Sequence, residues 1–305
     1  MKRFAIVKNA KIFFSISIIF LLIGFGSMLT RGFNLGIDFT GGSILDLKFD
    51  KPVTVAQVRD VLKDHKLGNS VIQLGAADAV TQESKSVLIR TTVITDETRR
   101  EVMNDMNAKL GNSQALRVEN VGATVGSELV KQAALAVVLS WILMIIYITF
   151  RFEFKFAISA IIALIIDVTV TLCWFSIVQY EIDSTFVAAI LTVVGYSVNS
   201  TIVIFDRIRE NLKTHRRSES MSDLVEESIW QCMTRSLFTS LTTLFSVVAI
   251  FFYGGETIHN FSFAMLIGIS SGFYTSTFLA GPLWMFLKNS SKHASQKVVS
   301  KTKVV

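Results

Sequence analysis

Six stretches of this chain each carry enough consecutive apolar residues to cross a lipid bilayer, which removes every soluble single-core fold from consideration. A helix crosses the ~30 Å hydrocarbon layer in about 20 apolar residues. The stretches are Ile12–Leu29, Gln132–Phe150, Phe156–Val178, Ser184–Phe205, Ser236–Tyr253 and Phe261–Leu287. With 51% hydrophobic and 18% charged residues, the chain is too apolar to hide its side chains in one soluble core, so the surplus faces lipid.

Lys2, Arg3, Lys8 and Lys11 precede the first stretch, as in a secretory signal. Its apolar run exceeds the roughly 7–15 residues of a signal core, and Ser27-Met28-Leu29 is not a small-x-small cleavage site. A retained anchor is expected. Basic residues concentrate in cytoplasmic loops. The N-terminus, Arg151–Lys155, Arg207–Arg235 and Lys288–Lys303 are basic, whereas Gln179–Asp183 and Gly254–Asn260 contain no Lys or Arg. Both termini are therefore expected in the cytoplasm and Thr30–Lys131 outside it. The net charge of +6 follows from this topology and calls for no nucleic-acid partner. Neither of the two cysteines, Cys173 and Cys232, falls in the exported segment, which excludes a disulfide framework there.

The expected organisation is 1–30, N-terminus and first helix; 31–131, an extracytoplasmic domain; 132–287, five further helices; and 288–305, a basic cytoplasmic tail. Within the domain the periodicity changes to short alternating segments. Ser43–Phe49 reads as a strand, Thr54–Lys66 as a helix capped by Thr54, and Ser70–Leu74 as a strand. Ser86–Val93 reads as a strand, Asp96–Leu110 as a helix and Ala115–Val121 as a strand. The order βαββαβ is that of a ferredoxin-like split βαβ unit. The domain has no His or Cys cluster and no Ser/His/Asp arrangement. Its single His, His65, is expected on a solvated helix, so surface binding rather than catalysis is anticipated, with no metal and no cofactor.

Two motifs stand out. In Gly36-Ile37-Asp38-Phe39-Thr40-Gly41-Gly42 the Gly pair permits a tight or left-handed turn before a strand; a turn alone does not explain Asp38. The fourth helix carries Gly195 and the stripe Thr192, Tyr196, Asn199, Val203, Asp206 at helical spacing, which is expected to bring polar groups into the bundle. Gly268 and Gly272 form a small-xxx-small pair suited to close helix packing. Ser222–Gln231 reads as an amphipathic cytoplasmic helix capped by Ser222, and Arg235 as the start of the fifth helix.

Asp167 lies twelve residues past Lys155, roughly 18 Å into the membrane. A carboxylate near the midplane is expensive and is by default a functional-site hypothesis, against the plainer reading of a neutral structural Asp. It should lie level with Gly195 and Tyr196, so Asn199 and Ser200 are its expected network partners. Asp206 and Arg207 lie at the cytoplasmic boundary, where anchoring is the simpler role.

The motif Gly36–Gly42, the run Gly195–Asn211, Arg235 with Thr239-Ser240-Leu241-Thr242-Thr243, and Gly254-Gly255 together resemble the SecF side of the bacterial SecD/SecF family, within the resistance-nodulation-division superfamily. The resemblance covers nearly the whole chain. It implies a non-enzymatic accessory subunit of Sec protein export that uses the proton-motive force. It also implies a SecD-like partner, association with SecYEG and often YajC, and action on a translocating preprotein. It makes Asp167, Asn199, Ser200, Asp206 and Arg235 the candidates for proton relay or coupling. Many family members carry an acidic residue where this chain has Ser200; a serine hydroxyl relays a hydrogen bond but does not change charge near neutral pH. Two rivals stay open: half of a small-molecule or lipid exporter of the same superfamily, and a scaffold that transports nothing.

Overall fold

The computed structural model describes residues 4–75, 83–214 and 220–289. Lys2, Arg3, the centre of the Arg207–Arg235 segment (215–219) and the expected tail beyond residue 289 lie outside the described residues. The chain divides into two compact units, Met1–Asn34 with Ala136–Val305, and Leu35–Leu135.

Among the described residues six helices are long and apolar enough to cross a membrane: Ala10–Arg31, Ala123–Arg151, Phe154–Val178, Ser184–Thr214, Met221–Tyr253 and His259–Asn289, called spans one to six below. Each contains one of the expected apolar stretches. Several run well past it, because intrahelical hydrogen bonding continues where hydropathy falls. Span two begins at Ala123 rather than Gln132. Span four continues to Thr214, and span five starts at Met221.

This continuity corrects three expectations. Ser222–Gln231 is not a separate helix but the first part of span five. Its cap is Ser220, whose Oγ accepts a hydrogen bond from the Asp223 amide at 3.1 Å, not Ser222. Arg235 therefore lies inside a helix and does not begin one. The polar start of span five is also tied down: the Glu226 carboxylate accepts from the amides of Ile6 and Val7 at 2.9 and 2.7 Å.

Spans three, four and six form the centre of the first unit. Small residues on span three, Ala157, Ala160 and Ala163, are buried, and Phe156 stacks on Trp284 of span six with ring centroids 4.5 Å apart. Span one lies along span three, where Ser27 and Ser176 share a hydrogen bond of 3.0 Å. Span two is the outlier: Leu135, Leu139, Leu143 and Ile146 are all at least half exposed.

The second unit holds a four-stranded antiparallel sheet: β1 (Gly42–Thr54), β2 (Val71–Gly75), β3 (Glu83–Thr91) and β4 (Ser113–Val121), in the spatial order β2-β3-β1-β4. Alternation along β1 and β3 turns Leu45, Leu47, Phe49, Val87 and Ile89 to one face, where they meet Val58, Val61 and Leu62 of the Val55–Asp64 helix and Val102 and Met106 of the Asp96–Leu110 helix. Each fully buried side chain of this size contributes about 1.5–3 kcal/mol. Thr54 caps the first helix in a reciprocal box with Gln57. His65 is not solvated: it follows that helix, is 13% exposed, and its Nε2 lies 2.8 Å from the Asp105 carboxylate. This contact ties the end of the first helix to the second.

Candidate functional site

Asp167 of span three is wholly buried, and its carboxylate is enclosed by hydroxyls from two other helices. Ser197 of span four donates to Oδ2. Ser271 of span six donates to Oδ1 at 2.7 Å. Thr275, also on span six, shares its hydroxyl between Oδ1 and Oδ2 at 2.9 and 3.0 Å. Among the described residues no basic side chain pairs with this carboxylate.

Local sequence explains the assembly. Ser271 and Thr275 are four residues apart and so share one helix face. Gly272 sits between them, and a Cβ added there would come within 3.1 Å of the Ser197 Cβ. The missing side chain lets span six approach span four where Ser197 faces the carboxylate. Gly268, one turn earlier, lies against Val193 in the same way. From Thr275 to Ala280 span six changes to π-helical bonding, a local rearrangement frequent at functional sites.

Chemically, a carboxylate in hydrocarbon surroundings is tolerated when hydrogen bonds replace water. The three hydroxyls serve either protonation state, since each can donate to the ionised form or accept from the neutral one. The cage can therefore hold a proton without an ion pair, and its stability depends on spans three, four and six keeping their rotation about their own axes.

The depth estimate set Asp167 level with Gly195 and Tyr196, but the residues in contact differ from the expected ones. Asn199 is exposed and Ser200 turns its hydroxyl to the Tyr196 carbonyl of its own helix at 3.3 Å. Ser197 takes that place because Asn199, two residues on, is turned by about 200° to the far side of the helix, and Ser200, three residues on, is offset by about 60° and lies about 4.5 Å further along the axis. The stripe Thr192, Tyr196, Asn199, Val203, Asp206 does not line the interior of this chain either. The buried face of span four is Ala189, Val193, Ser197, Thr201 and Ile204, while Thr192 and Asn199 are exposed. Tyr196 instead reaches span five, where its hydroxyl donates to Ser240 Oγ at 3.3 Å. Gly195, on the same side, would meet nothing within 4 Å if given a Cβ.

The other candidates are apart from the cage. Asp206 lies 3.5 Å from the Arg151 guanidinium, both about half exposed. Arg207 donates to Glu210 at 2.6 Å and to Gln231 of span five. Arg235 is exposed. In the second unit, Gly36 precedes a one-turn helix, Ile37–Thr40, whose first turn contains the half-buried Asp38. Gly41 closes it with φ +73°, and a Cβ there would approach Ala123 Cα to 2.9 Å. Gly42 follows at φ +144°, facing the Thr91 carbonyl. Positive φ and close backbone approach both require glycine.

The sequence does carry a signal for Ser271 and Thr275, their four-residue spacing within an apolar run. Ser197 is masked in the sequence by the more polar stripe beside it.

These features define a class: a multi-pass membrane protein with an inserted α/β domain and a carboxylate enclosed at the heart of its helical bundle. The chain belongs to the SecD/SecF family. The family model described as "Protein export membrane protein SecD/SecF, C-terminal" matches residues 101–290, and the "SecD/SecF GG Motif" matches residues 26–53. The chain is 70% identical over 292 residues to a protein translocase subunit SecF of Acidaminococcus fermentans, covering 96% of this chain and 100% of that one. It is 40% identical to the SecF of Sebaldella termitidis over 96% of this chain and 94% of the relative. It is also similar to the crystal structure of SecDF, a translocon-associated membrane protein from Thermus thermophilus, with a TM-score of 0.85 and 32% identity. That match covers 94% of this chain but 39% of the longer SecDF chain.

Proposed function

We propose that this chain is an accessory subunit of the Sec protein-export machinery, acting with a SecD-like partner to promote preprotein translocation across the bacterial plasma membrane at the expense of the proton-motive force. The observation that carries the coupling part of this reading is the Asp167 cage. One charge crossing 100 mV is worth about 2.3 kcal/mol, and harvesting it needs a group that titrates inside the membrane. Asp167 is the acidic residue of this chain placed deep in a span, and its hydroxyl ligands come from the two helices that would have to move to open it.

A SecD-like partner also fits the surface. Thr192 and Asn199 of span four and Arg235, Thr239 and Thr242 of span five are exposed in this chain. Polar groups at membrane depth need protein or water beside them, so a second helical subunit is their natural cover. Association with SecYEG, YajC and the emerging preprotein follows from the family reading. The inserted domain is read as ferredoxin-like and extracytoplasmic; the βαββαβ succession and the β2-β3-β1-β4 order support the first, and the Lys/Arg distribution supports the second together with cytoplasmic termini. The role is non-enzymatic.

The test is preprotein export in inverted membrane vesicles with and without a protonophore. Asp167→Asn is expected to remove most of the protonophore-sensitive component while Asp206→Asn leaves it largely intact. Ser200→Asp is expected to be tolerated or to raise activity. An intact protonophore-sensitive component in Asp167→Asn at normal protein level would make Asp167 structural and leave coupling to the partner. Unchanged export on depletion, with heightened drug or lipid sensitivity, would favour the exporter reading.

A further inference from the structure

A cavity of about 400 Å³ lies between spans one, three and six. Its walls are apolar, built chiefly from Phe20, Val170, Trp174 and Ile267. It reaches Ser271, the residue that donates to Asp167 Oδ1, so it abuts the cage at Ser271. Its volume is within the range of small-molecule sites.

The hydroxyls on the wall decide what it holds. Ser17 donates to the Phe13 carbonyl at 3.1 Å, Ser270 to Leu266 O at 2.7 Å, Tyr274 to Phe13 O at 2.8 Å, and Ser271 to Asp167. All four protons are spent inside the protein, leaving little for a polar ligand, and a water needs two to four polar partners to be held. Apart from the Trp174 indole, the remaining wall is hydrocarbon. The cavity also opens beside lipid-facing side chains: Ile16 on its rim is 52% exposed, and Ile12, Ile19 and Ile23 along the same helix are 55–59% exposed. All of these residues lie within membrane-spanning helices, where the surrounding solvent is acyl chain.

We infer that this cavity is a binding site for a phospholipid acyl chain, which seals the Ser271 side of the Asp167 cage against water. The inference rests on the coupling role proposed for Asp167 only for its consequence; the binding itself does not depend on it. With the chain seated, the Ser271 side of the cage stays dry, and displacing the chain opens an approach to the carboxylate through Ser271.

Trp174 on the cavity wall supplies a direct reporter. The full chain, in the complex with which it purifies, is reconstituted in phosphatidylcholine vesicles with either ordinary or dibrominated acyl chains, and the fluorescence of a Trp174→Phe variant is subtracted. The expected result is strong bromine quenching of the Trp174 component, reduced at least twofold by Ile267→Phe, which fills the cavity. Quenching that is equally strong in Ile267→Phe would mean that Trp174 senses only the general lipid belt, and absence of quenching would mean that the cavity holds no acyl chain; either result overturns the proposal. If quenching behaves as expected but Asp167→Asn keeps its protonophore-sensitive export, the lipid site stands and the coupling reading falls.

Discussion

The two units of this molecule solve burial in opposite ways. The inserted domain hides Leu45, Leu47, Phe49, Val87 and Ile89 under two amphipathic helices and leaves nearly all of its charges outside, Asp46 being buried. The spanning unit carries many of its large apolar side chains outward, such as Leu22, Leu139 and Phe252, and encloses Asp167, Thr171, Ser197 and Thr275 beside its buried aromatics. The difference follows from the solvent. In water, burial of hydrocarbon drives folding. In lipid it contributes nothing between helices, so close packing at small residues and interhelical hydrogen bonds hold the bundle. A polar core is thus an economical place for chemistry in one unit and a liability in the other.

The comparison breaks most sharply in the domain. Expressed alone, residues Asn34–Glu128 are expected to be soluble and mixed α/β, and Leu47→Asp should abolish that fold, since an unpaired buried carboxyl together with the lost leucine packing costs on the order of the lower end of the roughly 5–15 kcal/mol by which a whole domain is stable. Circular dichroism of the two proteins decides it. Next comes Gly272→Leu, which pushes span six off span four at Ser197. Overpacking of about 1–3 kcal/mol is expected, read as a lower melting temperature of the detergent-solubilised protein and a loss of protonophore-sensitive export.

Smaller again is Thr275→Val, which keeps the shape and deletes a hydroxyl from the cage. Interhelical hydrogen bonds in membranes average about 0.6 kcal/mol and reach about 1.7, so the melting temperature should barely move while proton-dependent export falls. An equal loss of both would make Thr275 a packing residue. The smallest effect belongs to the domain surface, where Lys109 lies 2.6 Å from Asp64, holding that carboxyl below its ordinary range while its own ammonium is raised. The contribution of the depressed carboxylate is complete above the ordinary carboxylate range and lost as pH falls through it; that of the raised lysine is complete below the ordinary lysine range and lost as pH rises through it. Between those limits it is constant, and because both groups are exposed, Asp64→Asn should leave thermal stability at neutral pH within error.

Length and periodicity along the chain determined a good deal. Runs such as Phe156–Val178 state that a helix crosses the membrane, the period-two pattern at Ser43–Phe49 states a strand, and counting from Lys155 places Asp167 near the midplane level with span four. Those are properties measured along an axis. What only the tertiary structure decided is the rotation about that axis: Ser197 rather than Asn199 or Ser200 faces Asp167, the Thr192–Asp206 stripe turns away from the interior of this chain, and Ser271 and Thr275 complete the cage from a helix more than a hundred residues away. The same holds at helix ends, where hydropathy stopped at Ser236 while hydrogen bonding carried the helix back to Met221 and its cap to Ser220. Apolar content is an average that carries no azimuth, and in a bundle the azimuth of each helix is set by what its neighbours leave room for, here by the bare backbone of Gly268 and Gly272.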